Sequence, residues 1–246
     1  MENKFQFPTE VVDLPSKGLL YPKDSPLSSG TIEMKYMTAK EEDILTNVNY
    51  IQKGIVIDKL LQSLIVTEVD YNEILIGDKN AILVAARILG YGKEYSINYL
   101  GRKLEIDLST LENKEIDEDL FKDGKNEFNF TLPTTETQLV FKLLTHGDEK
   151  EIEQEILGLR KINKESSPEL TTRLKKMILS VDGETQIGKI GQFVDNLFLA
   201  RDSRVFRAYV ASIQPDIDLT VYPPDGPEGG IQVPIGIDFF WPDAGI

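Results

Sequence analysis

The chain holds one histidine, His146, in the stretch LTHGDEKE, and no cysteine. An imidazole is the side chain best suited to move a proton near neutral pH, so His146 is the first residue that could act as a general base. A nucleophile would have to stand beside it, and no G-x-S-x-G turn supplies a serine. One histidine also excludes a histidine-rich metal site or a two-histidine mechanism. Between a strand and an acidic helix start, His146 reads as a turn or cap residue. The acids Asp117, Glu118 and Asp119 lack the alternating ligands and central glycine of a calcium loop. The paired glycines of GKIGQ and LGYGKEY fit neither a dinucleotide loop nor a phosphate-binding loop ending in Gly-Lys-Ser/Thr, and read as helix-end glycines. Carboxylates are so abundant that choosing two as a glycosidase pair would be arbitrary. The expectation is a chain with no catalytic residues, no cofactor and no metal.

Charge narrows the partners. Of 246 residues, 41 are Asp or Glu and 27 Lys or Arg, a net charge of −14. Such a balance repels phosphate backbones and anionic lipid heads unless a basic patch intervenes. Arg173, Lys175 and Lys176 come nearest to one, but they flank an apolar stripe and read as a solvated helix face. The longest apolar run, AILVAARILGY, is cut by Arg87 and falls short of the roughly 18–20 residues that span a bilayer. The start MENKFQFPTE lacks the basic-then-apolar pattern of a signal peptide. No nucleic acid and no membrane are therefore expected as partners, and the lack of cysteine is compatible with a reducing cytoplasm.

Stepping along the chain, periodicity predicts an α+β fold in four stretches. Residues 1–30 carry four prolines and read as an extended N-terminal arm. Residues 31–92 read as helical: Thr38 with Glu41 has capping-box spacing, NYIQKGIVIDKLLQSLIV reads as one amphipathic helix, and LIGDKNAILVAARILGYG as another, capped by Asp78 and ended by glycine. Residues 93–145 read as strand-rich, with a hairpin around Gly101 and alternation at Phe128, Phe130 and Leu132. The acidic segment ENKEIDEDLFKDGKN inside them reads as a solvated loop. Residues 146–246 read as helical, with one helix through SPELTTRLKKMILSV capped by Ser167, a pair broken near Asp202, and short terminal strands.

Two segments suggest contact with a neighbour. Leu14, Pro15 and Tyr21 lie in the proline-stiffened VVDLPSKGLLYP, and Phe239, Phe240 and Trp241 stand side by side in GIDFFWPDAGI. Proline lowers the entropy lost when a segment is ordered, and aromatic anchors dominate interface energies. Burial in the chain's own core competes with burial by a partner. Pleat alternation would send Phe239 and Trp241 to one face of a strand and Phe240 to the other.

Taken together, LPSKG…Y, GDKNAILVAARILGYGKEY, LPTTETQLVFKLLT and FFWP give a pattern that resembles the baseplate hub subunit family of T4-type, contractile-tailed bacteriophages. The likeness runs through Leu14, Pro15, Ser16, Gly18 and Tyr21, through Gly77, Asp78, Arg87 and Gly92, through Leu132 and Pro133, and through Phe239, Phe240, Trp241 and Pro242. Some relatives in long-tailed phages carry paired cysteines suggestive of a zinc ribbon; SINYLGRKLEIDL has none, so zinc does not carry over. The resemblance implies a non-catalytic structural component or assembly factor of the tail's central hub. It implies other hub and tail proteins as partners, a homo-oligomer within a symmetric assembly as one arrangement, and a place in the virion's tail baseplate after assembly in the host cytoplasm. A transient hub assembly chaperone, absent from the mature virion, is the alternative, and a lysozyme-like enzyme of the tail tip is a third class.

Overall fold

The computed structural model describes residues 8–121, 124–162, 168–223 and 227–240. Among these residues the fold is α+β, with eight α-helices and small antiparallel sheets.

The N-terminal stretch departs from an extended arm. Strand β1 (Thr9–Asp13) pairs antiparallel with β2 (Thr31–Lys35), from Thr9 opposite Lys35 to Asp13 opposite Thr31. The prolines do forbid a continuous helix, leaving only a 3-10 turn (Pro26–Ser29), and the backbone groups of β1 find partners in β2, whose short TIEMK buries Ile32 and Met34 on one face. The linking segment is folded tightly. Leu14 N–H donates to Gly30 O at 2.8 Å, and a Cβ on Gly18 would lie 2.5 Å from Ser28 O. Leu14, Leu20, Tyr21 and Leu27 are buried.

Helix α1 (Ala39–Leu45) begins as its spacing predicts, with the Glu41 carboxylate accepting from Thr38 N–H at 3.0 Å and the Thr38 hydroxyl at 2.6 Å. The same carboxylate, fully buried, also accepts from Lys35 Nζ and Ser63 Oγ, each at 2.8 Å. The expected single helix over the next stretch is two, α2 (Val48–Gln52) and α3 (Val56–Leu64). Gly54, at φ +68°, turns the chain between them. Helix α4 (Ile76–Tyr91) ends at Gly92, φ +84°. Its N-cap is Leu75, and Asp78 lies in the first turn instead of capping it.

Strands β3 (Glu94–Tyr99) and β4 (Arg102–Asp107) form the expected hairpin, turning at Leu100 (φ +48°) and Gly101 (φ +78°). The acidic loop after it is not wholly solvated, because Phe121 is buried edge-on against Phe128 at 5.7 Å. Strands β5 (Phe128–Thr131) and β6 (Gln138–Phe141) pair as their alternation predicts, and a third, β7 (Ile178–Val181), joins β6. Sequence periodicity extends helix through β7. Helix α6 (Glu169–Met177) instead stops where Lys142 N–H takes the Met177 carbonyl at 2.9 Å and draws the chain into the sheet. The expected Ser167 cap lies outside the described residues. Helix α5 (His146–Ile162) precedes α6; α7 (Ile187–Asn196) and α8 (Ala200–Ile213) follow β7. Buried Asp202, in the first turn of α8, accepts from Thr134 N–H at 3.0 Å and Thr135 N–H at 3.2 Å, and so clamps the β5–β6 turn. Two-residue strands β8 (Thr220–Val221) and β9 (Ile231–Gln232) pair near the end. Phe239 and Phe240 sit in a 3-10 turn (Ile237–Phe240), so pleat alternation does not apply and both rings are buried.

One buried cluster runs from Leu14 to Phe240. At its polar heart Asp78 accepts from Ser16 N–H (2.9 Å), Ser16 Oγ–H (2.7 Å) and Tyr21 Oη–H (2.7 Å), while Tyr21 Oη accepts from Leu75 N–H (2.9 Å). Burial pushes the Asp78 carboxyl above its usual range, against the pull of the Ser16 and Tyr21 hydrogen bonds. Beside it, α4 lies so close to Pro215 that a Cβ on Gly77 would come within 1.7 Å of the Pro215 carbonyl oxygen. Toward its other end α4 buries Arg87, which donates to the carbonyls of Gly92 (3.0 Å) and Glu94 (3.3 Å) and sits over the rings of Tyr91 and Tyr95. Tyr95 in turn meets Phe239 at 5.1 Å.

Tyr21→Phe removes one donor from the Asp78 carboxylate and the acceptor from Leu75 N–H, both buried. The expected loss is about 2–4 kcal/mol in urea unfolding; a loss within experimental error would show the N-terminal segment to be peripheral to stability. Glu41 supplies a pH test. Burial raises its pKa, but the hydrogen bonds from Lys35, Thr38 and Ser63 prevail and hold it at about 2. An unfolded glutamate titrates near about 4.3. The stabilisation is therefore complete above that value and lost as pH falls toward 2, on the order of 3 kcal/mol in all. The Glu41→Gln variant should show a shallower fall of the urea midpoint between pH 4.5 and 2, and an unchanged slope would disprove the assignment.

Candidate functional site

Of the six residues that the sequence offers to a partner, five are turned inward. Leu14, Pro15, Tyr21, Phe239 and Phe240 are buried within the chain itself. Of the two burials that the sequence leaves open, the chain's own core takes these five residues: the first segment is tied down through Asp78, and a 3-10 turn sends both phenylalanines to the core. Trp241 lies outside the described residues. Pro15 and Tyr21 belong to the segment that links β1 to β2, and Phe239 and Phe240 pack edge to face at 5.5 Å.

The polar side chains that do converge come from four separate places. Asp58 is in the first turn of α3, Tyr71 opens a 3-10 turn (Tyr71–Glu73), Lys79 is in the first turns of α4 and His146 begins α5. Two backbone bonds set the approach of α5 to α4: His146 N–H donates to Ile74 O at 2.8 Å, and Ile76 N–H to Leu144 O at 3.2 Å. Gly147 is part of the same fit, because a Cβ there would lie 3.0 Å from Asn72 O.

Asp58 is the hub of the cluster. Its Oδ1 accepts from Lys79 Nζ at 2.7 Å and from Tyr71 Oη–H at 3.0 Å, and its Oδ2 lies 3.6 Å from His146 Nε2. Lys79 Nζ is also 3.1 Å from His146 Nδ1. An ammonium has only protons to give, so Nδ1 is the acceptor and Nε2 carries the imidazole proton, facing Asp58. The imidazole packs edge-on to Tyr71 at 4.5 Å between centroids. Burial lowers the His146 pKa, the charges of Lys79 and Lys150 lower it further, and Asp58 opposes both. At neutral pH the arrangement is a neutral imidazole beside a lysine–aspartate ion pair.

Asp58, Lys79 and His146 line a groove of about 680 Å³, shared with Lys53, Lys59, Lys150, Glu149 and Glu153. Glu149 is neutralised by Arg173, whose Nη2 donates to Oε2 at 2.9 Å. The groove offers hydrogen-bond donors and positive charge, and its imidazole can gain a proton if negative charge arrives. Among the described residues no group of three His, Cys, Asp or Glu side chains could hold a metal ion. Sequence reasoning singled out His146 as a turn or cap residue, and the structure places it at the first position of α5. It did not mark Asp58, Tyr71 or Lys79. Their only local signal is a polar residue at the start of each helical segment, and what joins them is a packing of segments far apart in sequence.

Comparison with protein-family models, with curated proteins and with solved structures finds no match to this chain.

As the only histidine, His146 gives a single set of imidazole NMR signals. Its midpoint should lie below the usual value of about 6.5, and Asp58→Asn should lower it further by removing the negative charge that favours protonation. The unfolded chain then binds the proton first, so stability should decline as pH falls from about 6.5 through the folded midpoint. A midpoint that rises in Asp58→Asn would contradict the ion-pair geometry.

Proposed function

We propose that this chain is a non-catalytic structural component or assembly factor of the central hub of a contractile phage tail's baseplate, acting through contact with other hub and tail proteins. The observation that carries a protein-binding role is the tip of the β3–β4 hairpin. Leu100 is 86% exposed and held at φ +48° in a two-residue turn with Gly101. Such turns favour Asn or Asp at that position, and a bulky residue with positive φ is uncommon. A leucine that is both strained and in water gains nothing from its own fold, and an apolar contact on a neighbour would account for it. Arg102 begins β4 immediately after the turn, which suits an acidic rim around that contact.

The baseplate assignment rests on the sequence resemblance, and the fold gives its motif residues coherent work. Ser16, Tyr21 and Asp78 hydrogen-bond together, Gly77 allows close approach to Pro215, and Arg87 sits over the ring of Tyr95, which meets Phe239 edge to face. The shared pattern thus describes a scaffold, and the hairpin tip is what it presents. The site of action is the virion's baseplate, reached from the host cytoplasm during assembly.

Leu100→Asn relieves the turn, so its melting temperature should match or exceed that of the parent. Its incorporation into hub complexes should nevertheless drop at least tenfold, as expected when an interface anchor is removed. Mass spectrometry of purified tails should find the chain at fixed stoichiometry; presence only in infected lysate would favour a transient chaperone. Normal incorporation of Leu100→Asn would remove the tip from the interface. Absence of the chain from both tails and assembly intermediates would end the hub reading.

A further inference from the structure

We propose that the groove between α3, α4 and α5 binds a phosphate monoester, with Lys53, Lys59 and Lys150 as its charged rim and His146 as a donor that gains a proton on binding. The first observation is a local reversal of charge. The chain carries −14 overall, yet four lysines line this one groove, Lys53, Lys59 and Lys150 besides Lys79. Its carboxylates are largely spent: Asp58 is paired with Lys79 at 2.7 Å and Glu149 with Arg173. Glu153 is the one remaining acid on the lining, against three ammonium groups that form no ion pair among the described residues. Lys59 makes only a 3.4 Å hydrogen bond to Gln62. An acidic protein gains nothing for its own stability by gathering unpaired lysines at a concavity, whereas an incoming dianion would be held there by several charge-assisted bonds.

The second observation is the floor. His146 is 7% exposed, its Nδ1 facing Lys79 at 3.1 Å and its proton on Nε2. A dianion entering the groove adds negative charge near the ring and favours the imidazolium. The protonated ring and Lys79 then compete for Asp58, and Lys79, released from Nδ1, can turn toward the anion. No covalent step is involved, and the proton comes from solvent.

Size and donor type choose the ligand. About 680 Å³ lies within the roughly 300–1,000 Å³ of small-molecule sites. The guanidinium fork matches carboxylate and phosphate alike, whereas several lysine point charges add up on a single centre, and a phosphate monoester places about two negative charges there against one on each carboxylate. No arginine is among the residues that line the groove, and Arg173, which reaches the lining residue Glu149, is engaged by that bond. The donors left open are lysines, which favours the tetrahedral dianion. The inference is independent of the baseplate assignment.

The test uses the isolated full chain and the single histidine as a reporter. Glycerol 3-phosphate, inorganic phosphate and succinate are titrated separately at constant ionic strength while the His146 signals are followed. The expected result is a saturable shift with both phosphates and an upward movement of the His146 midpoint in their presence. Succinate should bind at least tenfold more weakly. In a Lys53→Gln/Lys150→Gln variant, checked for an unchanged melting temperature, phosphate affinity should fall at least tenfold. His146→Gln leaves the lysine rim intact and should retain weakened binding by calorimetry. Absence of a saturable shift at millimolar phosphate, an equal response to succinate, or full affinity in the double lysine variant would each overturn the proposal.

Discussion

A carboxylate removed from water costs several kcal/mol unless its oxygens are filled by donors, and Asp78 meets that demand with groups more than fifty residues away in sequence. Ser16 contributes its backbone and hydroxyl, and Tyr21 its phenol, which itself takes the N–H of Leu75 at the head of α4. The order of these bonds explains the N-terminal fold. The segment between β1 and β2 cannot leave α4 without stranding an acid and an amide in the core. The four prolines, which rule out a helix, are compatible with the irregular path that brings Ser16 and Tyr21 to one oxygen pair.

The same constraint positions the groove. Because α4 is pinned at its start, with Gly77 against Pro215 on one side and Tyr21 on the other, Lys79 one residue beyond Asp78 projects toward α3 and α5. Asp58 then neutralises Lys79, and His146 completes the contact as α5 begins. Neighbouring residues of one helical turn are thus turned to opposite environments: Asp78 faces the core, and Lys79 faces the groove.

Local chemistry was legible where it depends on near neighbours. Thr38 and Glu41 specify the start of α1, Gly92 the end of α4, and Gly101 the hairpin, because each acts within a few residues. Misreadings occurred where a distant partner decides. TIEMK is too short to declare itself a strand, yet becomes β2 because β1 lies beside it; MILSV looks helical by period, yet β6 claims it as β7. Gly54 split an amphipathic run that period alone would continue. FFW suits a pleated strand by its residue types, but the 3-10 turn sends both phenylalanines inward. The groove was invisible for the same reason: its lysines are ordinary solvated charges in sequence and become a set only when α3, α4 and α5 meet.

The close approach of Gly77 to Pro215 bears on the order of events as the chain is made. Synthesis runs from the N-terminus at about 5–20 residues per second, and early segments fold first where their contacts are local. Here the first turn of α4 has its packing surface more than a hundred residues downstream, and Tyr95 must wait longer still for Phe239. While the ribosome is still at work, β1, β2 and α4 can join through Ser16, Tyr21 and Asp78, but one flank of the helix stays wet. Contacts of such long sequence separation close late and slowly. A chain halted before residue 215 would therefore carry a half-covered helix, a surface that chaperones and proteases recognise, whereas the finished chain hides it. The glycine that admits the carbonyl of Pro215 makes the fold answer to the completeness of the polypeptide.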